Sequence, residues 1–345
     1  MKTKNYFELF LIILVFSFSL ATMISPINGN ETSILNKNSS INLSTHQCSS
    51  HQPILINSNA DLIALASSEG WQGDGSALLP FIIEEFDINT FNIGVNLIEI
   101  NNVDKFFVIQ HNCLNYGTSG IVLNNVTNGR IVNNTLLHNT GNGFDLRYTT
   151  NIQIEENNAQ NTTDHIMFVA HSKSINITNN VLVDGGGNGL YLWNLSDINI
   201  FYNVINDNYG IYMNTNNSAF AYNLVNVTTT GLTVSSGSVQ NNITCNDFMS
   251  NNIGNSQAKD DGVQNIFSDN FWDDMTSPDA SPQDGIVDNP YVIAGTAGNQ
   301  DNNHYTSPNE RELRCNPEPA PTPGWTIAVL LLSFVFMMLL KKRKL

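Results

Sequence analysis

The sequence predicts an all-β protein folded as a single-stranded, right-handed parallel β-helix, with three short strands in each coil of about 22 residues. Three observations lead to this fold class. Short apolar triplets recur at a nearly constant step, an Asn recurs behind the second triplet of each step, and Asn contributes 54 of the 345 residues. A leucine-rich repeat would need leucine at several fixed positions, and a β-propeller blade has about twice this period. Both alternatives therefore fit less well.

The first strand of each coil is marked by two apolar residues that enclose one variable residue. Alternate side chains of a strand point to the same side, so each pair should face the core. A Gly precedes most pairs and supplies the backbone angles of a sharp corner. The predicted inward pairs are Ile98/Ile100, Ile121/Leu123, Phe144/Leu146, Ile166/Phe168, Leu190/Leu192, Ile211/Met213 and Leu232/Val234.

The second strand of each coil ends shortly before an Asn. Asn tolerates left-handed backbone angles, and its amide can hydrogen-bond to the coil beside it, so these positions should form a ladder along the stack. A third short strand follows each Asn. The predicted ladder positions are Asn112, Asn134, Asn157, Asn180, Asn203, Asn223, Asn242 and Asn270.

A stack of coils must be covered at its ends, where core and strand edges would otherwise be exposed. Residues 59–70 are predicted to form a helix with Asn59 as N-cap and Gly70 as terminator. Leu62, Ile63 and Leu65 would form its apolar side. This helix should cover the first coil.

The chain divides into segments by composition and periodicity. Residues 54–97 hold the N-terminal cap and first coil, 98–270 the remaining coils, and 271–305 an irregular cap in which the repeat stops. The flanking segments are a signal peptide at 1–29, an N-terminal linker at 30–53, a Pro-rich linker at 306–324 and a transmembrane tail at 325–345.

Both ends of the chain predict export. Residues 1–29 follow the positive, apolar, small order of a secretory signal, with an uncleaved anchor as the alternative. The apolar helix predicted at 325–345 ends in a basic cluster that should stay cytoplasmic. This end resembles the sorting tails that sortase-like enzymes cut, and a plain single-pass anchor is the alternative. We expect a protein on the outer face of the cell membrane, anchored by its C-terminus.

The charge balance limits the partners. With 14 Lys and Arg against 30 Asp and Glu, the net charge is −16, which argues against a nucleic-acid partner. Four cysteines in an exported chain allow disulfides. Pairing of Cys113 with Cys245 is disfavoured by their distant repeats, whereas Cys48 with Cys113, or Cys245 with Cys315, is open.

Two flanking segments carry a family resemblance. GWQGDGSALLPFIIEEFDI at 70–88 and DNFWDDMTSPDASPQDGIVDNPYVIAGTAGNQD at 269–301 resemble the entry and the C-terminal cap of the NosD-like right-handed β-helix family. The family takes its name from a periplasmic copper-binding protein associated with nitrous oxide reductase maturation. The resemblance covers residues 54–305, and the coils resemble repeats shared with carbohydrate-binding and sugar-hydrolase proteins. It implies the fold strongly and an activity weakly.

Outward positions of the first strands suggest a ligand-binding surface. Exposed aromatic rings on a flat sheet can stack on sugars, and nearby charged groups can bind hydroxyls. We therefore expect binding of extracellular glycans, with a surface protein as the alternative partner. The predicted outward residues are Asp145, Arg147, Met167, Val169, Tyr191, Trp193, Tyr212 and Asn214, of which Asp145, Arg147, Tyr191, Trp193 and Tyr212 form the candidate site.

Catalysis is the competing hypothesis, as a polysaccharide lyase or hydrolase on the same fold. Asp145 and Arg147 lie on one predicted strand, and Asp164 with His165 follows in the same coil. The paired aspartates and the Gly-His-Gly segment expected of such enzymes are absent. No catalytic residue is assigned.

Two metals are candidate ligands. Copper is implied by the family resemblance alone, because the side chains that could bind it fall at different positions of their repeats. These are His111, His138, His165, His171 and Met167. Calcium is suggested by the acidic loop that contains Asp279, Asp284 and Asp288.

Overall fold

The structure is a computed structural model that describes residues 48–91, 94–252, 255–280, 282–308 and 315. Each coil contributes one short strand to each of three faces, and the strands of a face run parallel to one another. The fold is a parallel β-solenoid of about eight coils with a repeat of about 23 residues. The predicted signal peptide and the tail at 325–345 lie outside the described residues. So does most of each predicted linker.

The first two faces share one sheet of seventeen strands, because the strand Asn188–Phe201 runs through both. The other first-face strands are Ile54–Ile56, Ile98–Val103, Ile121–Val126, Phe144–Arg147, Met167–Ala170, Tyr209–Asn216, Leu232–Val234 and Ala258–Asp260. The other second-face strands are Phe81–Glu84, Phe107–Gln110, Gly129–Val132, Thr150–Glu155, Lys173–Thr178, Ala219–Ala221, Asn242–Thr244 and Ile266–Ser268.

The third face is a separate sheet of ten strands. Each strand pairs in parallel with the equivalent strand of the next coil, so the backbone hydrogen bonds run between coils. The strands are Ser49–Ser50, Phe86–Asn89, Cys113–Asn115, Thr135–Leu137, Asn158–Gln160, Val181–Val183, Val204–Asp207, Leu224–Val227, Asp247–Phe248 and Phe271–Trp272.

The core consists of the inward apolar columns that the triplets predict, with one correction. Phe144 pairs with Met167, and Met167 pairs with Leu190. Met167 and Val169 are fully buried, so the predicted inward pair Ile166/Phe168 is wrong by one residue at its strand. Ile166 is buried at the corner before that strand, and Phe168 points outward.

The Asn ladder is present, again with one correction. Buried Asn side chains donate from Nδ2 to the Oδ1 of the next coil at about 3.0 Å, as between Asn157 and Asn180. Asn242 is exposed and lies in a second-face strand. The ladder member of that coil is Asn246, which bonds Asn223 and Asn270.

The predicted helix spans Asn59–Glu69 and lies between the first and second strands of the first coil. Ser58 is its N-cap and accepts a hydrogen bond from the Asp61 N–H, so the predicted Asn59 cap is wrong by one residue. Gly70 ends the helix in the left-handed region, as predicted. Leu62 and Ala66 are buried, whereas Ile63 is exposed. The helix therefore packs on the first coil through a narrower face than the sequence suggested.

The C-terminal cap contains a short antiparallel pair, Tyr291–Val292 with Gln300–Asp301. Trp272 and Tyr291 stack at 4.2 Å and continue the aromatic column of Phe248 into the cap. Two disulfides, Cys48–Cys113 and Cys245–Cys315, join the flanks to the coils. Both pairings left open by the sequence are thus formed.

In the part of the chain that the structure describes, no helix has the length and apolar character needed to cross a membrane.

Candidate functional site

Parallel register brings the predicted site residues together on the first face. Equivalent outward positions of successive coils are direct neighbours, so residues about 23 apart in sequence lie side by side. One outward column holds Asp145, Phe168, Tyr191 and Tyr212, and the adjacent column holds Arg147, Ala170, Trp193 and Asn214. The predicted outward residues Met167 and Val169 face the core instead, because their strand is shifted by one residue from the expected register.

Phe168 and His165 complete the group, and sequence reasoning did not include them among its site residues. A constant 23-residue step from Phe144 would have placed Met167 inward and Phe168 outward. The His165 ring stacks on Tyr191 at 4.7 Å and lies 5.9 Å from Phe168. We call Asp145, Arg147, His165, Phe168, Tyr191, Trp193 and Tyr212 the first-face cluster.

The aromatic rings of the first-face cluster are stacked on one another. Tyr191 lies 5.5 Å from Phe168 on one side and 4.9 Å from Tyr212 on the other, with interplanar angles of 7° and 13°. Both faces of Tyr191 are thereby covered, so the expectation of free ring faces does not hold for this residue. It can offer its edge and hydroxyl group. Trp193 is 40% exposed and offset from Tyr212 by 6.1 Å, which makes it the most accessible ring of the cluster.

Asp145 and Arg147 form a two-point ion pair. The guanidinium donates from Nε to Oδ1 at 2.7 Å and from Nη2 to Oδ2 at 3.0 Å. The hydrogen bonds to Asp145 raise the pKa of Arg147, and its Cζ lies 4.7 Å from the Phe168 ring centre. Asn142 also donates to Asp145. Both carboxylate oxygens of Asp145 therefore accept hydrogen bonds, two of them from a guanidinium group, which favours the ionised carboxylate and argues against a role as general acid.

His165 places its Nε2 at the surface, 3.6 Å from Asp164 Oδ1. The backbone N–H of Asn188 donates to Nδ1 at 2.9 Å, so in the neutral ring the proton is on Nε2. Burial lowers the pKa of His165, although Asp164 and Asp145 oppose the shift. Burial also raises the pKa of Tyr191. At neutral pH both side chains are uncharged donors, which suits ligands that carry oxygen acceptors.

His111, His138 and His171, the other predicted copper ligands among the histidines, lie at separate corners of the coils. His138 stacks on Tyr116 at 5.0 Å, and His171 stacks on Tyr148 at 5.1 Å. Met167 is fully buried, and all four cysteines are in disulfides. Among the described residues no three His, Cys, Asp or Glu side chains come close enough to share a metal ion. The described residues therefore do not fit a copper centre.

The acidic residues of the C-terminal loop bind their own backbone. Asp279 accepts the Gly285 N–H at 2.8 Å, Asp284 the Ile286 N–H at 3.0 Å and Asp288 the Ala280 N–H at 2.6 Å. These bonds shape the loop. A role for calcium here stays a prediction.

A comparison with known protein families shows which family this chain is related to. Residues 83–305 match the family described as periplasmic copper-binding protein (NosD). The chain belongs to the NosD family. No curated protein and no solved structure matches the chain. Family membership and the two disulfides together indicate an exported protein.

Proposed function

We propose that this NosD-family protein works outside the cytoplasm by binding a hydroxyl-rich ligand, of the glycan class, at the first-face cluster. The observation that carries the proposal is the concentration of uncharged donors and aromatic edges in neighbouring coils. Tyr191, Tyr212 and His165 lie in one stack, and Trp193 stands beside them with an accessible ring. Sugar hydroxyls can both donate and accept, so they match such donors, while Trp193 can pack on an apolar sugar face.

The matching experiment is a glycan and polysaccharide screen of the purified protein, followed by affinity measurements on the ligands that bind. Replacing Trp193→Ala should weaken binding at least about tenfold, since truncating an anchoring aromatic side chain at a binding hot spot costs about 2 kcal/mol or more and tenfold corresponds to about 1.4 kcal/mol. Tyr116→Ala is the matched control, because Tyr116 is a stacked ring of similar exposure that lies outside the first-face cluster. Equal losses in both variants, or no glycan binding by the unmodified protein, would reject the proposal.

Copper binding in the maturation of a copper enzyme is the second candidate, and it has the more direct support from the comparison. The matched family is described as copper-binding. Within the described residues, however, no three-ligand group exists. His165 is poorly disposed as a ligand, because its Nδ1 accepts a backbone hydrogen bond and its Nε2 carries the proton. This candidate therefore needs ligands from elsewhere in the chain or from a partner.

Copper loading separates the two candidates. The purified protein is incubated with Cu(II), passed through a desalting column and analysed for metal. Stoichiometric copper that survives this step supports the second candidate, and its absence counts against it. Retention of copper by Trp193→Ala, together with loss of glycan binding, would show two independent sites.

Anchoring by the C-terminal tail remains part of the proposal. The apolar stretch and terminal basic residues of 325–345 support it. Fractionation of cells that produce the full chain, compared with a chain ending at residue 324, tests it. We expect the full chain, and not the shortened one, to associate with the membrane. If the tail is cut, the mature protein should have the smaller mass of a chain that ends near residue 324.

A further inference from the structure

A cleft on the second face, a different face from that of the first-face cluster, lies where the chain enters the second strands. Its volume is about 430 Å³, within the usual range for small-molecule sites. Its apolar wall comes from two consecutive coils and its polar wall from the two that follow, with Val108 directly beside Arg130 in the strand register. The lining includes Pro80, Phe106, Val108, Arg130, Gln153 and Glu155.

The apolar wall is formed by Val108, Phe106 and Pro80. Val108 points away from the core column of Phe107 and Ile109, yet it is only 8% exposed. Phe106 and Pro80 flank it from the preceding corners. This wall can cover one side of a flat apolar group.

The polar wall is dominated by Arg130, whose guanidinium is incompletely used. Within the described residues its side chain makes one hydrogen bond, from Nη2 to Glu155 Oε2 at 2.9 Å. Arg147 on the first face instead uses both Nε and Nη2 on Asp145. The Arg130 side chain is 45% exposed. The Nε and Nη1 donors of its planar guanidinium group therefore remain for a second partner.

The chemistry of an open guanidinium fork specifies the partner. Arg binds carboxylates through two parallel N–H···O bonds, which gives both strength and orientation. The chain as a whole carries a charge of −16, so an anionic ligand needs a local cation of this kind.

We propose that this cleft binds a small carboxylate that has a flat apolar body. The carboxylate bonds to the fork of Arg130, and the apolar body lies against Val108, Phe106 and Pro80. The inference goes beyond the proposed function, because it concerns another face and a charged ligand class.

The experiment uses benzoate as the probe and benzamide as its uncharged counterpart. Saturation-transfer NMR on the full chain detects weak binding by either probe, and titration gives its affinity. We expect saturable binding of benzoate and at least tenfold weaker binding of benzamide. Comparable binding of the two probes, or no saturable binding of benzoate, would overturn the proposal.

Variants locate the site. Arg130→Ala and Arg130→Lys should each weaken benzoate binding at least tenfold, the second because an ammonium group lacks the planar fork. Arg147→Ala is the matched control and should leave benzoate binding unchanged. Unchanged affinity in Arg130→Lys, or an equal loss in Arg147→Ala, contradicts the assignment. Trp193→Ala should also leave benzoate binding unchanged, so failure here is distinguishable from failure of the glycan proposal.

Discussion

At the scale of single residues, Asp207 has a buried carboxyl group whose two oxygens differ in their surroundings. Its Oδ1 accepts the backbone N–H groups of Gly185 and Asn208 at 2.8 and 2.6 Å. Its Oδ2 is buried without a hydrogen-bond partner. Burial raises the pKa of Asp207 to about 7, against the two N–H bonds that oppose the shift. The folded protein therefore holds a proton here that the unfolded chain releases near pH 4.

This difference makes stability depend on pH. Between about pH 4 and pH 7 the folded state binds more protons at Asp207 than the unfolded state, so the free energy of unfolding falls as pH rises. Above about pH 7 both states are ionised and the penalty is constant. Asp207→Asn should be neutral at pH 4 and stabilising at pH 8, by an amount on the order of 2 to 4 kcal/mol.

Urea unfolding of both proteins at several pH values measures this effect. The control is Asp197→Asn, an exposed acid in the strand Asn188–Phe201. Parallel stability curves for Asp207→Asn and the unmodified protein would show that Asp207 is not the group responsible.

His165 gives a second residue-scale prediction. The Asn188 N–H bond to Nδ1 requires the tautomer with the proton on Nε2, and burial lowers the ring's pKa. Nitrogen-15 NMR of labelled histidine should therefore show an uncharged Nε2–H ring at pH 7. A signal from the Nδ1–H tautomer, or a ring still charged at pH 7, would remove the surface donor from the first-face cluster.

At the scale of elements, the Asn ladder is directional. Each buried amide donates toward the C-terminal end and accepts from the preceding coil, from Asn112 to Asn270. The last donor needs a group that only accepts, and the Asp301 carboxylate supplies it. Asp301 also accepts from Trp272 Nε1 at 3.2 Å. The cap thus completes the hydrogen bonding of the ladder as well as covering the core.

Replacing a central ladder member tests how much the element contributes. Asn180 donates to Asn203 Oδ1 and Ile154 O and accepts from Asn157. Asn180→Ala leaves several buried groups without partners, at about 1–3 kcal/mol each, so a loss of roughly 3 to 5 kcal/mol is expected. The measurement is the urea midpoint. Asn176→Ala, on the outward side of the same coil, should cost less than about 1 kcal/mol, and an equal cost at both positions would contradict a special role for the ladder.

Periodicity alone predicted the coils and most of the ladder, and its errors have a common physical origin. The repeat places Asn242 in the ladder, four residues before the true member Asn246. It places Met167 outward because the preceding residue, Ile166, is apolar and also buried. In both cases a nearby residue of the same type satisfies the pattern, and only pairing with the adjacent coil decides between them.

The candidate sites were predictable to different degrees. Register follows from the repeat, so Asp145, Tyr191 and Tyr212 could be placed in one column from sequence. Ring stacking depends on side-chain torsions, which a repeat does not specify. Register also places Val108, Arg130 and Gln153 in one outward column of the second face. The cavity beside them depends on side-chain torsions and on corner residues such as Phe106, which the repeat does not specify.

At the scale of the whole molecule, disulfides join both flanks to the stack. Cys48–Cys113 closes 65 residues and Cys245–Cys315 closes 70. Cross-links of this span restrict the unfolded chain and typically stabilise a fold by about 2–4 kcal/mol each. Since the coils contact mainly their neighbours, each link should protect its own end of the stack.

Cysteine replacement checks this expectation. The double variant Cys48→Ala, Cys113→Ala should lower the free energy of unfolding and increase hydrogen exchange in the first coils before the central ones. Cys245→Ala with Cys315→Ala should do the same at the C-terminal end. Uniform exchange along the stack, or an unchanged urea midpoint, would contradict local protection by the disulfides.

Calorimetric titration of the purified protein with the best glycan from the screen tests whether this NosD-family β-solenoid has a ligand site on its first face. The titration is repeated with the double variant Trp193→Ala, Tyr212→Ala. We expect saturable binding by the unmodified protein and at least a tenfold loss in the variant, with the fold intact by circular dichroism. Unchanged affinity in a folded variant would contradict a ligand site at the first-face cluster.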